Sequence, residues 1–383
     1  MIETDMSLNP NSPPPLRVAV IGAGPAGAAC AAVLHAAGIA VTVFEKSRGV
    51  GGRMATRRTR YTDAQGREHA VHFDHGAQHV KARDPRFQRW MQTLVAAGAA
   101  VPWPLKLRDA ASPAVDNGTA ATGLRYLPVP GMPALCQHLL QGVAVRLQTT
   151  VTALVLQPGG GYTLRIAEAA PDATPDPMDR FDHVLLAMPP VQAAALLAPH
   201  HAGWSQALSS RVMNPCWTLM AVTGAPVAGS PAAKAIDWDA FAPTAGPLAW
   251  VSRNDRRPGR ATPAGTVSWV AQASAAWTLG HLEDEADSVA EALQAALFEQ
   301  LGLAGVGHPA VHYRAVHRWR YSLAEPAAGV AGESTWWDAK LGLGVCGDSL
   351  AAPDADGIEG AWLQGDALAQ AVLASTGRPH AHA

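Results

Sequence analysis

The chain has 383 residues, 48% of them hydrophobic, with 29 lysines and arginines against 31 aspartates and glutamates and a formal net charge of −2. This length and apolar content suffice for two cores, and the near-neutral charge excludes the strongly basic face that wrapping nucleic acid requires. Cys30, Cys136, Cys216 and Cys346 stand far apart with no CxxC pair, which argues against a zinc cluster or a disulfide framework and for small buried hydrophobes in a reducing compartment.

Met1 to Pro15 is polar, ends in NSPPP and lacks the charged and apolar regions of a secretory signal, so a flexible tail and a cytoplasmic protein are expected. No apolar run approaches the roughly 18 residues of a membrane helix. Arg17 to Ile21 is then a short strand, Pro25 to Ala37 is alanine-rich and helical, Gly38 falls at the helix C-cap, and Ile39 to Glu45 reads as a second strand. Between strand and helix, Gly22 permits a tight turn, Gly24 lets the backbone approach a pyrophosphate, and Gly27 lets the helix pack on the strand. The helix N-terminus, with Pro25 and Ala26, faces the phosphates with unpaired N–H groups. Glu45, about twenty residues further on, is placed to bind a ribose hydroxyl. Gly51-Gly52-Arg53 then returns glycine and a fixed cation towards the same phosphates, as a dinucleotide held along its whole length would need.

The next stretch, EHAVHFDHGAQH, carries His69, His72, Asp74, His75 and His79, yet predicts no metal site. Gly76 interrupts the helix that would align three histidines, and a strand puts them on both faces. Leu147 to Ile166 alternates like a hairpin, Ala169 to Asp179 reads as a surface loop, and Phe181 to Pro190 begins as a strand. Ser252 to Arg260, SRNDRRPGR, reads as a solvated hairpin turn, with an anion clamp as the alternative. Trp250, Trp269, Trp277, Trp319, Trp336 and Trp337 gather in the later half and are expected mostly in cores or on sheet faces. Near the end a strand leads into Gly347-Asp348, and Gly357 and Gly360 open a helix running to Leu373; the closing HAHA is a second flexible end. There is no internal repeat.

EKSRGVGGRMATRR, Glu45 to Arg58, taken with FDHGAQH, resembles the renalase-type branch of the flavin amine oxidase superfamily. The resemblance spans Arg17 to Leu373 and is strongest at the two ends. It implies an α/β fold, with a discontinuous, three-layer Rossmann-like FAD domain (16–80, 125–198 and 338–375). A mixed α+β substrate domain with an antiparallel sheet would take 81–124 and 199–337, leaving tails at 1–15 and 376–383. It also implies resident FAD, noncovalent because Cys346 directly precedes Gly347-Asp348 outside any flavin-linking motif. The implied contacts begin with Gly22, Gly24, Pro25, Ala26 and Gly27, and continue through Glu45, Lys46, Gly51, Gly52, Arg53 and Met54. Gly76, Ala77 and Gln78 would pass the flavin ring, and the Val151 backbone would meet the adenine. Gly347 and Asp348 would hold the ribityl chain, with Glu359, Gly360 and Ala361 turning the positive end of a helix towards the flavin N1–C2=O edge.

On the substrate side, Trp319, Tyr321 and Gln272 are the first candidates, with Arg256 or Arg320 assigned to substrate phosphates. The superfamily's substrate-domain lysine has only loose candidates in Lys106 and Lys234. The reaction implied is oxidation of C2- or C6-dihydro isomers of NAD(P)H to NAD(P)+ by hydride transfer to flavin N5, with O2 reduced to H2O2. That chemistry needs a small-molecule substrate and no strong base, in a monomer or weak homodimer. The alternatives are an amine or polyene oxidoreductase on the same fold, and a non-catalytic flavin carrier or sensor.

Overall fold

The computed structural model describes residues 16–109, 115–116, 124–167, 180–226, 236–302, 309–325, 335–352, 355 and 357–377. Both expected tails (except 376–377), the loop 169–179 and Lys234 lie outside the described residues.

A six-stranded sheet is ordered Ala144–Arg146, Ala40–Phe44, Arg17–Ile21, His183–Leu186, Leu343–Val345 and Trp336–Asp338. Its strands are parallel except the last, which runs antiparallel to its neighbour. Alternation along the strands fills both faces, as a parallel sheet requires. Val18, Val20, Val41 and Val43 face the helices Pro25–Ala36 and Gly357–Thr376. Ala19, Ile21 and Phe44 face a small sheet of Val151–Leu156, Tyr162–Ile166 and Arg180–Phe181, together with the helix Pro190–Leu197. This is the three-layer α/β arrangement expected. The first helix ends at Ala36, one residue early, with Gly38 at φ +75° just beyond.

A seven-stranded sheet forms the other half: Val311–Ala324, Met213–Gly224, Thr266–Ala273, Leu248–Arg253, Ala240–Ala242, Leu107–Asp109 and Val115–Asp116. All its neighbours are antiparallel except Ala240–Ala242 and Leu107–Asp109. One face, with Leu219, Ala221, Trp269 and Ala271, is covered by Val289, Leu293 and Leu297 of the helix Ala286–Gln300. On the other, Met220, Val222 and Val270 pack against Tyr61, Val71 and Phe73 of the hairpin Thr56–Thr62/Glu68–Asp74. A third sheet, Val80–Ala82, Leu124–Pro128 and Ala100–Pro102, stands beside the helix Pro85–Ala96. That helix lays Phe87, Trp90, Met91 and Leu94 into the same core as Trp362 of the C-terminal helix. All four cysteines are buried and free. Among the described residues no helix is long and apolar enough to cross a membrane.

Candidate functional site: a dinucleotide cradle and a gripped loop

The glycines of the first turn serve two purposes. A Cβ on Gly22 would lie 2.2 Å from the Ala187 carbonyl oxygen, and one on Gly27 would lie 1.9 Å from the Gly22 carbonyl oxygen, so these two permit packing. At Gly24 a Cβ would meet nothing within 4 Å: the space above it belongs to no protein atom. Gly24 caps the helix without a side-chain hydrogen bond and Pro25 follows, so no side chain caps the first-turn N–H groups of Ala26 and Gly27. Gly51, at φ +119°, donates its N–H to the Ala23 carbonyl (2.8 Å), and Gly52 lies against the Gly24 Cα. The second glycine turn thus folds onto the first. Glu45 is buried, and its carboxylate accepts from the backbone N–H of Ala23 (2.9 Å) and Ser47 (2.8 Å), which fixes it at the strand end with lone pairs to spare for a diol. Lys46 is exposed, Met54 is in the core, and Val151 is buried just past Thr149, whose N–H donates to the Glu45 carbonyl (2.9 Å).

Arg53 and Asp348 meet as a fork: Nη1 donates to Oδ2 at 2.7 Å and Nη2 to Oδ1 at 2.5 Å. Arg53 Nη1 also donates to the Ser322 carbonyl (2.8 Å), tying the edge strand of the seven-stranded sheet to the first. Glu359 departs from its expected use. Its side chain is buried and accepts from the N–H groups of Arg83 (2.6 Å) and Asp84 (2.7 Å), which leaves only its backbone, with those of Gly360 and the buried Ala361, for any ligand contact. Gly365 was not singled out in the sequence, yet a Cβ there would sit 2.1 Å from the Ala26 carbonyl oxygen: it lets the C-terminal helix press on the first one.

Gly76, Ala77 and Gln78 run beside Arg53, with the Ala77 N–H on the Arg53 carbonyl (2.9 Å) and no room for a Cβ at Gly76. The seven-stranded sheet offers this loop one transverse row, Trp250–Gln272–Thr218–His317, fixed by strand register. Gln272 Nε2 donates to the Gly76 carbonyl (2.9 Å), and Trp319 Nε1, two rows further, to the His75 carbonyl (2.9 Å). Gln78 Oε1 accepts from Trp250 Nε1 (3.3 Å), Ser252 Oγ (2.9 Å) and Arg257 Nη2 (2.8 Å). The polar ends of Gln272 and Trp319, expected to face substrate, are therefore engaged in holding the loop. Tyr321 lies two residues beyond Trp319, half-buried, where the pairing shifts register between Asn214 and Cys216. The His75 ring stacks on Trp319 with centroids 5.3 Å apart and meets His317 edge-on. Burial, with His317 nearby, lowers its pKa to about 4, so the ring is neutral.

The segment Ser252–Arg260 corrects the expectation of a solvated turn, and its alternative of an anion clamp as well. Arg257 and Arg260 are buried with no side-chain exposure and converge on the equally buried Asp74, at 3.0 Å from Arg257 Nη1 and 2.9 Å from Arg260 Nε. Thr56 Oγ1 donates to Asp74 at 2.6 Å, and the buried Asn254 bridges to its backbone. Burial pushes the Asp74 carboxyl up, but the two guanidinium groups outweigh it and hold its pKa below the ordinary value. The arginines expected on substrate phosphates are also committed elsewhere. Arg256 pairs with Asp237 (2.6 Å) and stands 3.6 Å from Asp239, while Arg320 forms a fork with Glu283 (2.7 and 2.8 Å). Lys106 is tied by its backbone, its N–H donating to the Asp239 carboxylate and its carbonyl accepting from the Asp239 N–H (both 2.9 Å). Among the described residues no three His, Cys, Asp or Glu side chains gather to hold a metal.

Residues 87–373 match the model of the flavin-containing amine oxidoreductase family, and 20–94 match that of an NAD(P)-binding Rossmann-like domain. Putrescine oxidase bound to putrescine superposes at a TM-score of 0.64 with 16% identity, over 94% of this chain and all of that one. Reduced UDP-galactopyranose mutase does so at 0.67 with 10% identity, over 94% of each chain; at such identities both show the fold alone. A curated relative, the tRNA 5-methylaminomethyl-2-thiouridine biosynthesis bifunctional protein MnmC of Magnetococcus marinus, is 30% identical over 213 residues, 44% of this chain. The match spans only 31% of that protein's length. The empty volume over Gly24, the buried acid at the strand end and the two glycine turns folded together suit FAD, the cofactor of this family. With the family model covering most of the chain and the fold agreeing from end to end, the protein belongs to the flavin-containing amine oxidoreductase family and is an FAD-dependent oxidoreductase.

Proposed function

We propose that the protein is a renalase-type oxidase, converting C2- or C6-dihydro isomers of NAD(P)H to NAD(P)+. One observation carries this reading: among the described residues, the carboxylates nearest the loop 75–78 are each engaged by protein donors. Asp74 is held by two arginines, Asp348 by Arg53, and Glu359 by two backbone N–H groups. A dihydronicotinamide releases hydride with the push of its own ring nitrogen and asks for no base, whereas an amine arrives as ammonium and must first lose a proton. Bound FAD supplies N5 as the hydride acceptor and a route to oxygen, so that the isomer, O2 and a proton give NAD(P)+ and H2O2.

The protein's own part is placement. In this reading the Gly22–Gly27 turn, Glu45, Gly51–Arg53, Val151 and Gly76–Gln78 would hold FAD, with Gly347-Asp348 and the backbone of 359–361 supplying its remaining contacts. Gln272 and Trp319 keep the loop in register, and the rings of Trp319 and Tyr321 wall the substrate. The division into a discontinuous FAD domain and a substrate domain belongs to the same proposal, with helix Pro85–Ala96 assigned by its packing to the first. Amine oxidation is the second reading, favoured by the neutral imidazole of His75 beside Trp319, which sets no cation against an incoming ammonium. Product analysis separates the two. Incubated in air, the isomers are expected to give NAD(P)+ and H2O2 in equal amounts while putrescine yields no peroxide; the opposite pattern would replace the first reading with the second.

A further inference from the structure

The strand Val80–Ala82 joins the loop 76–78 to Arg83 and Asp84, which sit on the Glu359 carboxylate at the head of the C-terminal helix. It therefore flanks the whole width of the proposed flavin site. Val80 and Ala82 are in the core, so strand alternation sets His79 and Lys81 on the opposite face. Directly across the ladder from Lys81 stands Arg125. Two cations in facing positions repel and weaken a sheet. Among the described residues no carboxylate pairs with either of them, whereas Arg256 and Arg320 each pair with one.

Two buried nitrogens here also lack partners: Arg125 Nε and His79 Nδ1. Burial, with Lys81, Arg257 and Arg125 close by, keeps the His79 ring neutral, its pKa lowered to about 3. Aromatic rings complete the surroundings. The His79 ring lies 5.7 Å from that of Trp103 and 5.9 Å from that of Trp250, which in turn touches Gln78 of the loop. Trp103 is fixed by its N–H on the Arg125 carbonyl (2.9 Å) and by the Arg257 guanidinium over its face at 5.1 Å.

We propose that this face is the substrate's anion subsite: Lys81 and Arg125 bind a phosphate or carboxylate carried by a planar substrate, His79 donates a hydrogen bond to it, and Trp103 and Trp250 wall the ring. The proposal rests on the reading above only in placing the flavin beside the loop 76–78. It gives the unpaired cations, their repulsion and the two orphaned nitrogens one cause, and it moves phosphate recognition from Arg256 and Arg320 to residues that nothing else neutralises.

The test is a titration of the FAD-loaded protein with ADP-ribose and, separately, with benzoate, at low and high salt, read by calorimetry and by the flavin absorbance. Wild type is expected to bind at least one probe, more weakly as salt rises. Lys81→Gln and Arg125→Gln should each weaken that binding about tenfold, as loss of a charge-assisted contact does. Lys81→Arg should restore it, and Arg320→Gln should leave it unchanged. Without ligand, Lys81→Gln should melt no lower than wild type, since it removes a repulsion, and with equal FAD content. Binding of ADP-ribose alone identifies a phosphate, and of benzoate alone a carboxylate. No binding by wild type, or equal binding by the glutamine variants, overturns the subsite. If charge-dependent binding holds while the NAD(P)H isomers go unoxidised, the subsite stands and the renalase-type reading falls; the reverse result removes the subsite alone.

Discussion

Two arginine–carboxylate sets grip the segment from Arg53 to Gln78, and they differ in water. Asp74 with Arg257 and Arg260 has no side-chain exposure on any member that meets it, whereas Arg53 is 34% and Asp348 11% exposed. In the first set one carboxylate faces two guanidinium groups shut off from water, and its cations are further occupied by the carbonyls of Gln78 and Pro128. In the second, one fork joins Arg53 to Asp348, Arg53 also reaches the Ser322 carbonyl, and part of its side chain stays in water. Charge sealed from water fixes the loop; charge left half-wet can trade a protein partner for a cofactor. The unpaired Lys81 and Arg125 extend this contrast, being cations that the described protein does not answer at all.

The contrast predicts a descending series of effects. Asp74→Asn strands two buried guanidinium groups and should cost about 3–5 kcal/mol of stability in urea unfolding, or prevent folding altogether. A loss under about 1 kcal/mol would show that water reaches the set. Next comes acid. The His75 pKa, about 4 when folded, lies below its ordinary value of 6.5, so the unfolded chain binds the extra proton between them and stability falls as pH drops through that window. Between pH 6.5 and 5 His75 alone should contribute about 1.6 kcal/mol of loss, and His75→Gln should make the profile shallower by that amount, while His79, lowered to about 3, keeps a loss of similar size in the same window. Gly24→Ala is expected to leave unfolding of the FAD-free chain within about 0.5 kcal/mol of wild type, yet raise the FAD dissociation constant about tenfold or more, because the added methyl group occupies ligand space. Arg53→Lys, which replaces the fork with a single point contact, should weaken FAD by about tenfold. Smallest is Arg320→Gln, an exposed pair whose loss should change stability by less than about 1 kcal/mol and leave flavin reactivity untouched.

What the sequence disclosed divides along the same line. The cradle was legible because its parts are local: Gly22 to Glu45 is one strand–turn–helix–strand unit, and each glycine answers to atoms within it or just across the sheet. The hairpin from Val151 to Ile166 and the C-terminal strand and helix were legible for the same reason. Arg257 and Arg260 were not, since their partner lies 183 and 186 residues earlier and nothing in SRNDRRPGR itself separates a buried anchor from a wet turn. Arg256 and Arg320 misled in the same way, because Asp237 and Glu283 reach them only through the fold. Glu359 kept its position but turned its carboxylate to a neighbouring loop that only tertiary packing brings there.

The most direct measurement is anaerobic mixing of the FAD-loaded protein with C2- and C6-dihydro isomers of NAD(P)H, ordinary NADH and a set of amines, following the flavin absorbance. The account predicts rapid bleaching by the isomers and slow or no bleaching by the others. Rapid bleaching by an amine with none by the isomers would contradict it.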